Sequence, residues 1–472
     1  MDCEPTLSRP TVPAVLGLSL QDLPWSSVDV DLLVQGARRL EARSYLTDGY
    51  GQRKLIEVRK AGWKPLADIA AVWQPSRLRG VVVREGAGLP FLSAGQAFEA
   101  APVVRKWLAA KHVTDAATRL VHPGWILMSR SGRVGRVTAV YPHHQDVVIT
   151  DDLLRVVPKD ADEYGWIYAY MRTPTFGAMA ETSKYGHMIM PRLPARRAVS
   201  DLAVKALSLR QDAMRILHNA DQMYEQLISP DQTVPVATVS HSVPISRLLK
   251  SRRRLDAEFA RADVLSIEEL IRHAGTHPVQ TVDDVCSSVT LGSRFRRYFG
   301  PTGTPYRSAS ELLDLNAPVT KRVYAALVPD KQEYILRAGW IIMACSGQVY
   351  GINGRCMLLT SAHDGIFGSH DLIRLVPDTQ RIHPGYLQLA LNNRRYGRPL
   401  VIRHAYGTSI PHLDPIDIRT VPIARFDDVT EKELGSLVVR AAVLSSQADE
   451  LENKATAEAE KMIHRFVRSG PE

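Results

Sequence analysis

The stretch GWILM at residues 124–128 recurs as GWIIM at residues 339–343, which indicates an internal repeat. Further along, DLLRVVP at residues 152–158 returns as DLIRLVP at residues 371–377, with a slightly larger separation between the two copies. Other short matches keep the same order along the chain, at residues 38–42 with 253–257 and at residues 131–132 with 346–347. A repeating unit of about 200 residues is too long for a solenoid repeat, so the sequence predicts two similar domains.

The composition indicates a globular protein with a basic surface. The chain has 472 residues, of which 45% are hydrophobic and 23% are charged, as is typical of a protein with a sizeable core. It carries 59 Lys and Arg against 50 Asp and Glu, a formal net charge of +9. Residues 1–235 hold 29 of the basic and 24 of the acidic side chains, so the two halves share the excess. A polyanion that touches both copies fits this distribution, and so does a basic protein without an anionic partner.

The four cysteines, Cys3, Cys286, Cys345 and Cys356, form no CxxC pair. This spacing predicts neither a zinc site nor a disulfide framework, so we expect a reducing compartment. No apolar run approaches the ~20 residues that a membrane-spanning helix needs, and the N-terminus lacks the pattern of a signal peptide. We therefore expect a cytoplasmic protein.

Short apolar runs broken by Gly and Pro, such as residues 125–128 and 146–150, predict strands with turns between them. A helical spacing of apolar residues predicts a short helix at residues 164–183. The second copy has the same texture from about residue 245 to residue 425. The pattern is thus typical of mixed α and β domains.

Two segments, residues 199–228 and 430–467, have a heptad pattern in which large apolar residues alternate with alanine, as in a coiled-coil seam. The predicted seam consists of Leu202, Ala206, Leu209, Ala213, Ile216, Ala220, Met223, Leu437, Ala441, Leu444, Ala448, Leu451 and Ala455. We expect the two helices to pair antiparallel as a rod of about 45 Å with one domain at each end. The alternative is that each helix packs on its own domain as an ordinary amphipathic helix.

The loops between the predicted strands carry arginine, lysine and polar aromatic residues. Arg, Asn and Gln can hydrogen-bond base edges, and Arg and Lys bind phosphates, although an exposed arginine is most often plain solvated surface. The candidate DNA-binding residues are Arg77, Arg79, Arg130, Arg133, Arg136, Lys184, Tyr185 and His187 in the first copy, and Arg294, Arg296, Arg297, Tyr298, Gln348, Tyr350, Asn353, Arg355, Tyr406 and Thr408 in the second. These residues differ between the copies, whereas the shared residues are Gly, Pro, Trp and apolar. The pattern favours one scaffold with two specificities.

The chain contains no GxxxxGK[ST] phosphate loop, no HExxH and no GxSxG. The adjacent His143 and His144 are expected to form a surface turn rather than a metal site. Asp152 and Asp371 are expected to orient the turns before the strands that follow them. One alternative is a self-contained metal-dependent DNA-processing enzyme that uses Asp152, Asp371 and His370. Another is a helical scaffold that joins protein partners without reading DNA.

Together these motifs resemble the specificity (S) subunit of type I restriction–modification systems. The resemblance rests on the glycine turn at residues 124–136 (GWILMSRSGRVGR), on residues 152–158 and 186–191, on the second-copy counterparts at 346–351, 371–377 and 407–413, and on the two heptad helices. It implies an α+β fold with two homologous mixed α/β target-recognition domains joined by two long helices that form an antiparallel coiled coil.

The resemblance implies a division of the chain into six segments. These are a lead-in at residues 1–35, a first target-recognition domain at 36–196, a central helix at 197–229, a linker at 230–247, a second target-recognition domain at 248–427 and a C-terminal helix at 428–469.

The resemblance also implies a non-catalytic role in N6-adenine methylation. Such subunits bind double-stranded DNA, and each domain reads one half of a bipartite site. Their helices set the spacing of the half-sites and dock two adenine methyltransferase subunits. S-adenosylmethionine belongs to the methyltransferase partner, so no cofactor is expected on this chain. In restriction systems a motor-nuclease subunit joins the complex, and a related methylation-based phage-defence complex is the other assembly that we consider.

Overall fold

The computed structural model describes residues 30, 48–57, 62–113, 115–182, 189–191, 196–231, 242–246, 254 and 256–469. The mixed helix and strand content that the sequence predicts is confirmed. We refer to residues 48–191 as the first half and to residues 256–426 as the second half. Each half is followed by one long helix. Most of the predicted lead-in and most of the predicted linker lie outside the described residues.

The strands of the first half are short, because Gly and Pro interrupt the apolar runs. They are β1 (Trp63–Pro65), β2 (Ala70–Trp73), β3 (Val82–Val83), β4 (Leu89–Leu92), β5 (Lys106–Leu108), β6 (Ile126–Ser129), β7 (Val137–Ala139), β8 (Val148–Ile149), β9 (Leu153–Pro158) and β10 (Ile189–Pro191). The helices of this half are α1 (Asp48–Glu57), α2 (Leu66–Ile69), α3 (Ala116–Arg119), α4 (Tyr164–Met171) and α5 (Pro174–Thr182).

The single helix that we predict at residues 164–183 is wrong in detail, since the structure has the two helices α4 and α5 there. The hydroxyl of Thr173 accepts a 3.2 Å hydrogen bond from the backbone N–H of Phe176. A threonine that caps a helix and is followed by proline at the first helical position begins a new helix. The cap at Thr173 and Pro174 therefore separates α5 from α4.

The second half has the same texture. Its strands are β11 (His277–Thr281), β12 (Cys286–Leu291), β13 (Phe299–Arg307), β14 (Arg322–Val323), β15 (Ile341–Ala344), β16 (Cys356–Leu358), β17 (Phe367–Gly368), β18 (Leu372–Pro377) and β19 (Pro422–Arg425). Its helices are α7 (Ala262–Ala274), α8 (Val282–Val285), α9 (Ala309–Leu313), α10 (Pro384–Asn392), α11 (Gly397–Ile402) and α12 (Pro415–Ile418). The two long helices are α6 (Arg196–Ile228) and α13 (Asp428–Ser469).

The strand order repeats between the halves. The first half contains a four-stranded sheet in the order β2-β9-β6-β7, and the second half contains β12-β18-β15-β16. The pairs β1-β10 and β11-β19 also correspond. In the remaining sheet of each half one pairing is parallel, β4 with β8 and β13 with β17. The repeated sequence therefore forms the same arrangement of strands twice.

A buried arginine occupies the equivalent position of each four-stranded sheet. Arg155 on β9 donates hydrogen bonds to the backbone carbonyls of Thr150 and Leu153. Arg374 on β18 donates in the same way to the carbonyls of Ser369 and Leu372. Burial lowers the pKa of both guanidinium groups to about 10. Each arginine thus fixes the turn that leads into its own strand.

The long helices α6 and α13 connect the cores of the two halves. Val199 and Ala203 near the start of α6 pack with Ala459 and Ile463 near the end of α13 in the core of the first half. At the other end, Tyr224 packs near Leu434 and Val438 in the core of the second half. The two helices therefore run in opposite directions. At 1.5 Å per residue, the 33 residues of α6 span about 50 Å.

The predicted helix seam divides into two groups by burial. The alanines Ala206, Ala213, Ala220, Ala441, Ala448 and Ala455 are buried, and so is Ile216. The large residues Leu202, Leu209, Met223, Leu437, Leu444 and Leu451 are half-buried. Fully buried positions instead include Arg210 and Tyr224, one residue beyond Leu209 and Met223. The buried face of each long helix is therefore rotated from the predicted seam, because each helix packs against its neighbouring half as well as against the other helix.

One helix of each half lies very close to a long helix: α4 lies against α6, and α10 lies against α13. A Cβ atom on Gly165 of α4 would overlap the hydroxyl and carbonyl oxygens of Ser200 on α6. A Cβ atom on Gly385 of α10 would overlap the carbonyl oxygen of Gly435 on α13. Glycine is required at both sites because backbone lies directly against backbone.

The expectation of a surface turn at His143 and His144 is wrong for His144, which is fully buried. Its Nδ1 accepts a hydrogen bond from the backbone N–H of Tyr141, and its Nε2 lies 2.9 Å from the carbonyl oxygen of Ala97. Burial lowers the pKa of His144 to about 4. A neutral imidazole that bridges two backbone segments explains why a histidine is placed in this core.

Candidate nucleic-acid interface

The segment after β2 presents two of the candidate arginines of the first half. Arg77 and Arg79 are both exposed, and Leu78 between them packs into a small apolar cluster with Leu108 and Val113. The buried Arg119 holds this segment in place, because its Nη2 donates a 2.8 Å hydrogen bond to the carbonyl oxygen of Ser76. The sequence Ser-Arg-Leu-Arg thus folds with its apolar residue inward and both arginines at the surface.

A polar cleft of about 550 Å³ lies beside this segment. Arg77, Arg130 and Lys106 contribute three cationic side chains to its lining, and Asp151 and Asp152 contribute carboxylates. Clustered Arg and Lys side chains bind phosphate oxygens, and carboxylates can accept from the amino groups of bases. The structure thus brings Arg77 and Arg130 together, and it adds Lys106, which the sequence does not single out.

The turn from Ser129 to Arg136 holds Arg133 in an exposed position. The hydroxyl of Ser129 donates to the carbonyl oxygen of Arg133 and accepts from the backbone N–H of Arg136. Gly132 has a φ angle of 66°, a left-handed conformation that favours glycine. Hydrogen bonds from one serine and a left-handed glycine therefore shape this turn.

The segment after β12 is the counterpart of the segment after β2. Its sequence at residues 293–296 is Ser-Arg-Phe-Arg, and Arg294 and Arg296 are exposed. Phe295 packs edge-to-face on Tyr334 and Phe367, with ring centroids 4.7 and 5.5 Å away. The repeated Ser-Arg-apolar-Arg pattern is a signal in the sequence that locates both segments.

The same segment continues into Arg297 and Tyr298, which are also exposed. The Arg296 guanidinium lies 5.2 Å from the centroid of the Tyr298 ring, a cation–π distance. The Nη2 atom of Arg297 lies 3.8 Å from Oδ2 of Asp371 and 3.3 Å from Nε2 of His370. Burial lowers the pKa of His370, and nearby arginines lower it further.

A second exposed region of the second half combines two loops. Isolated bridges join Ser346 to His412 and Tyr406 to His412. Gln348 donates from Nε2 to the carbonyl oxygen of Ser409 at 3.0 Å. The candidate residues Gln348, Tyr350, Tyr406 and Thr408 are exposed on these loops. The structure therefore brings these four side chains to one surface.

Three of the candidate DNA-binding residues form buried hydrogen bonds or ion pairs with other parts of the chain. Asn353 is fully buried and donates from Nδ2 to the carbonyl oxygens of Gly347 and Pro411. The buried Arg355 forms an ion pair with Glu99, and Arg136 forms one with Asp314. We therefore leave Asn353, Arg355 and Arg136 out of the surface proposed below. The candidates Lys184, Tyr185 and His187 lie outside the described residues.

The acidic residues of the enzyme alternative lie beside the arginine segments. Asp152 lines the polar cleft together with Arg77 and Arg130, and Asp371 lies 3.8 Å from Arg297. Within the ranges given above, no group of three or more His, Cys, Asp and Glu side chains could hold a metal ion. Nor is any helix in those ranges both long enough and apolar enough to cross a membrane.

Comparison with known proteins gives structural matches alone. No protein-family model matches the chain, and no curated protein matches it. The chain is similar to the crystal structure of a type I restriction–modification S subunit from M. genitalium, with 12% identity, coverage of 86% of this chain and 95% of that one, and a TM-score of 0.35. A second similar structure comes from work on the complex assembly and conformational transition of the type I R-M system. It has 12% identity, coverage of 86% of this chain and 97% of that one, and a TM-score of 0.27. The crystal structure of the HsdS subunit from Thermoanaerobacter tengcongensis has 12% identity, coverage of 87% and 97%, and a TM-score of 0.24. The solved structures similar to this chain over most of its length thus include type I restriction–modification S subunits.

Proposed function

We propose that the chain is the DNA-specificity subunit of a type I restriction–modification complex or of a related methylation-based defence complex. In this proposal the two halves are target-recognition domains, and each reads one half of a bipartite DNA site. One observation supports it above the others: the same strand order occurs twice, and the equivalent segments after β2 and β12 expose different arginine-rich sequences. A scaffold that is repeated with altered surface residues is suited to reading two different sequences.

The charges of the exposed segments fit a polyanionic partner. Arg77, Arg79 and Arg130 lie at the surface or beside the polar cleft of the first half, and Arg294 and Arg296 lie at the surface of the second. Because the net charge of +9 is shared between the halves, both can approach the phosphate backbone. Arginine is also the side chain that most often makes bidentate contacts to guanine in the major groove.

The helices α6 and α13 form an antiparallel coiled coil in this proposal. They set the spacing of the half-sites and dock two adenine methyltransferase subunits, which bind S-adenosylmethionine. A motor-nuclease subunit completes a restriction complex. The chain itself performs no chemistry and works in the cytoplasm. The opposite directions of the helices and their contacts with both cores support this arrangement.

Salt-dependent DNA binding by the chain with its methyltransferase tests the proposal. Each neutralised phosphate contributes a slope of about −0.9 to a plot of log K against log salt concentration. We expect steep salt dependence and a site preference that disappears when this chain is omitted. A methyltransferase that keeps its preference without the chain would refute the proposal. Metal-dependent DNA cleavage by the isolated chain that is lost in Asp152→Ala would support the enzyme alternative instead.

A further inference from the structure

The two halves also touch each other directly, through one short backbone segment of each half. Residues 98–100 of the first half run antiparallel to residues 313–315 of the second, and Glu99 lies opposite Asp314 in an isolated bridge. The backbone N–H of Ala100 donates to the carbonyl oxygen of Leu313 at 3.0 Å. The N–H of Leu315 donates to the carbonyl oxygen of Phe98 at 2.8 Å. We call these two segments, with the ion pairs described next, the clasp.

Each half contributes an arginine to a carboxylate of the other half. Arg136 of the first half lies 3.0 Å from Oδ2 of Asp314, and its guanidinium stacks 4.1 Å from the centroid of the Phe98 ring. Arg355 of the second half lies 2.7 Å from Oε2 of Glu99. Arg105 binds the other oxygen of Glu99 at 2.5 Å. A carboxylate that is desolvated by burial needs a cationic partner, because an unpaired buried charge is strongly destabilising. These ion pairs therefore hold the two halves in a defined position.

The clasp is symmetric with respect to the repeat. Glu99 and Asp314 have the same separation along the chain as the GWILM and GWIIM stretches, so they occupy equivalent positions of the two copies. Arg136 and Arg355 have the same separation as the DLLRVVP and DLIRLVP stretches, and each directly precedes an equivalent strand, β7 or β16. The Arg136–Asp314 ion pair is therefore equivalent to the Arg355–Glu99 ion pair. In the same way, the hydrogen bond from Ala100 to Leu313 is equivalent to the one from Leu315 to Phe98. Equivalent residues that meet each other across the repeat form a local two-fold contact.

The clasp also reaches the core of the first half and the long helix α13. Leu315 packs against the apolar core of the first half. The next residue, Asn316, donates from Nδ2 to Oε2 of Glu452 at 2.6 Å, and its carbonyl oxygen accepts from Arg172 at 3.3 Å. Asn316 has a φ angle of 36°, and a positive φ is uncommon for a residue other than glycine. The second half is thus anchored to the first half and to the helix pair at one place.

We propose that the clasp fixes the separation and rotation of the two DNA-reading surfaces, and that it determines the accepted spacing of the half-sites together with the long helices. The inference rests on the proposed function. Arg136 ends the turn that carries Arg133, and Arg355 ends the loop that carries Gln348 and Tyr350. Each clasp arginine therefore ties a candidate reading loop to the opposite half. One added base pair rotates a half-site by about 35° and moves it by about 3.4 Å, which two rigidly connected surfaces cannot follow.

Two variants test the clasp by opening it and by locking it. Arg136→Ala with Arg355→Ala removes both ion pairs between the halves, and Arg215→Ala is the control for an exposed arginine outside the clasp. Glu99→Cys with Asp314→Cys opens the clasp when reduced. Residues directly opposite in this type of antiparallel pair have Cα atoms about 4.5 Å apart, within the range of a disulfide, so oxidation locks the same protein.

The first measurement needs no DNA. Spin labels at the exposed positions Val82 and Leu327, one in each half, report the distance between the halves in the full chain. We expect one narrow distance distribution for the wild type, for Arg215→Ala and for the oxidised cysteine variant. We expect a broad distribution for the arginine double variant and for the reduced cysteine variant. A distribution that stays narrow in both opened variants overturns the clasp, whatever the protein binds.

The second measurement uses the complex with its methyltransferase on duplexes whose spacer is one base pair too short or too long. We expect the wild type and the oxidised variant to lose affinity by about tenfold or more on these duplexes, as for a mismatched site. The opened variants should lose at most about threefold. Broad distances combined with an unchanged spacer requirement overturn the role of the clasp in specificity. If even the wild type shows no site preference, the proposed function fails while the distance measurement still decides whether the clasp exists.

Discussion

Arg210 on α6 donates from Nη2 to Oε2 of Glu452 on α13 at 2.8 Å, and both side chains are almost completely buried. Tyr168 donates to the other carboxylate oxygen at 2.7 Å, and Asn316 donates to Oε2 at 2.6 Å. Burial alone would raise the pKa of Glu452, but Arg210, Arg172 and these hydrogen bonds lower it to about 2. One carboxylate thus joins both long helices and both halves.

Glu452→Gln should therefore destabilise the protein strongly. Removing one partner of a buried ion pair costs about 3–5 kcal/mol, because Arg172 loses its carboxylate partner and the buried Arg210 keeps only the half-exposed Asp449. The free energy of unfolding from urea titration at pH 7 measures this cost. Glu458→Gln on the same helix is the matched control, since its partner Lys461 is exposed and the expected loss is within about 0.5 kcal/mol. Equal losses for the two variants would show that Glu452 is not a central contact.

Asp221 should stabilise the chain less and less as the pH rises from about 4 to about 6. Burial raises the pKa of Asp221 to about 6, and the nearby Glu225 adds to the rise. Because the unfolded pKa is about 3.9, the protonated form is favoured in the folded state, and its contribution is complete below that pH and lost through pH 6.

Asp221→Asn should accordingly stabilise the protein by about 1–2 kcal/mol at pH 7 and have little effect at pH 4. Thermal unfolding of both proteins across this range measures the difference. Asp212→Asn serves as the control, because that carboxylate is half-exposed and pairs with the exposed Arg215 in α6. A stabilisation by Asp221→Asn that is as large at pH 4 as at pH 7 would contradict the assigned titration.

Glycine-to-alanine substitutions should have opposite effects at two kinds of site. Alanine at Gly385 would force its Cβ onto the carbonyl oxygen of Gly435, so Gly385→Ala should cost about 2 kcal/mol or more, as overpacking does. Gly177 in α5 has open space where a Cβ would be placed, so Gly177→Ala should stabilise by about 0.5–1 kcal/mol. Thermal unfolding distinguishes the two signs. A neutral Gly385→Ala would mean that α10 does not lie directly on α13.

The two arginine segments should act on different half-sites. Arg77→Ala with Arg79→Ala should relax the sequence preference in one half-site, and Arg294→Ala with Arg296→Ala should relax it in the other. If the lost contacts are to phosphates, each pair should also reduce the salt slope by about 2. Binding to duplexes with single-base changes measures the preference, with Arg215→Ala as the control. Loss of preference in both half-sites from one pair would contradict independent reading.

Much of the fold was accessible from the sequence, because the repeated strands carry their own pattern. The buried strands at residues 126–129 and 341–344 are nearly identical apolar runs, and turn glycines such as Gly132 and Gly347 mark their ends. The long helices were accessible for the same reason, since the alternation of alanine with larger residues has a helical period. The buried stripe was predicted less well, because Arg210 and Tyr224 gain their burial from the neighbouring halves.

The sequence was a poorer guide to which individual candidate residues are exposed and which are paired within the chain. Arg136 and Arg355 lie in loops rich in other arginines, and their residue type alone suggests contact with DNA. Their partners Asp314 and Glu99 are 178 and 256 residues distant along the chain, so the sequence pattern gives no sign that these charges are neutralised. Asn353 is similar, because its buried hydrogen bonds depend on a loop that the chain reaches 58 residues later.

If each half reads its own DNA sequence, the DNA site has two separated parts. Selection of duplexes from a random pool by the full chain with its methyltransferase, followed by sequencing of the bound DNA, shows whether the site has these two parts. We expect two short enriched motifs separated by a gap of fixed length and no sequence preference. One contiguous motif, or a pool that shows no enrichment, would contradict it.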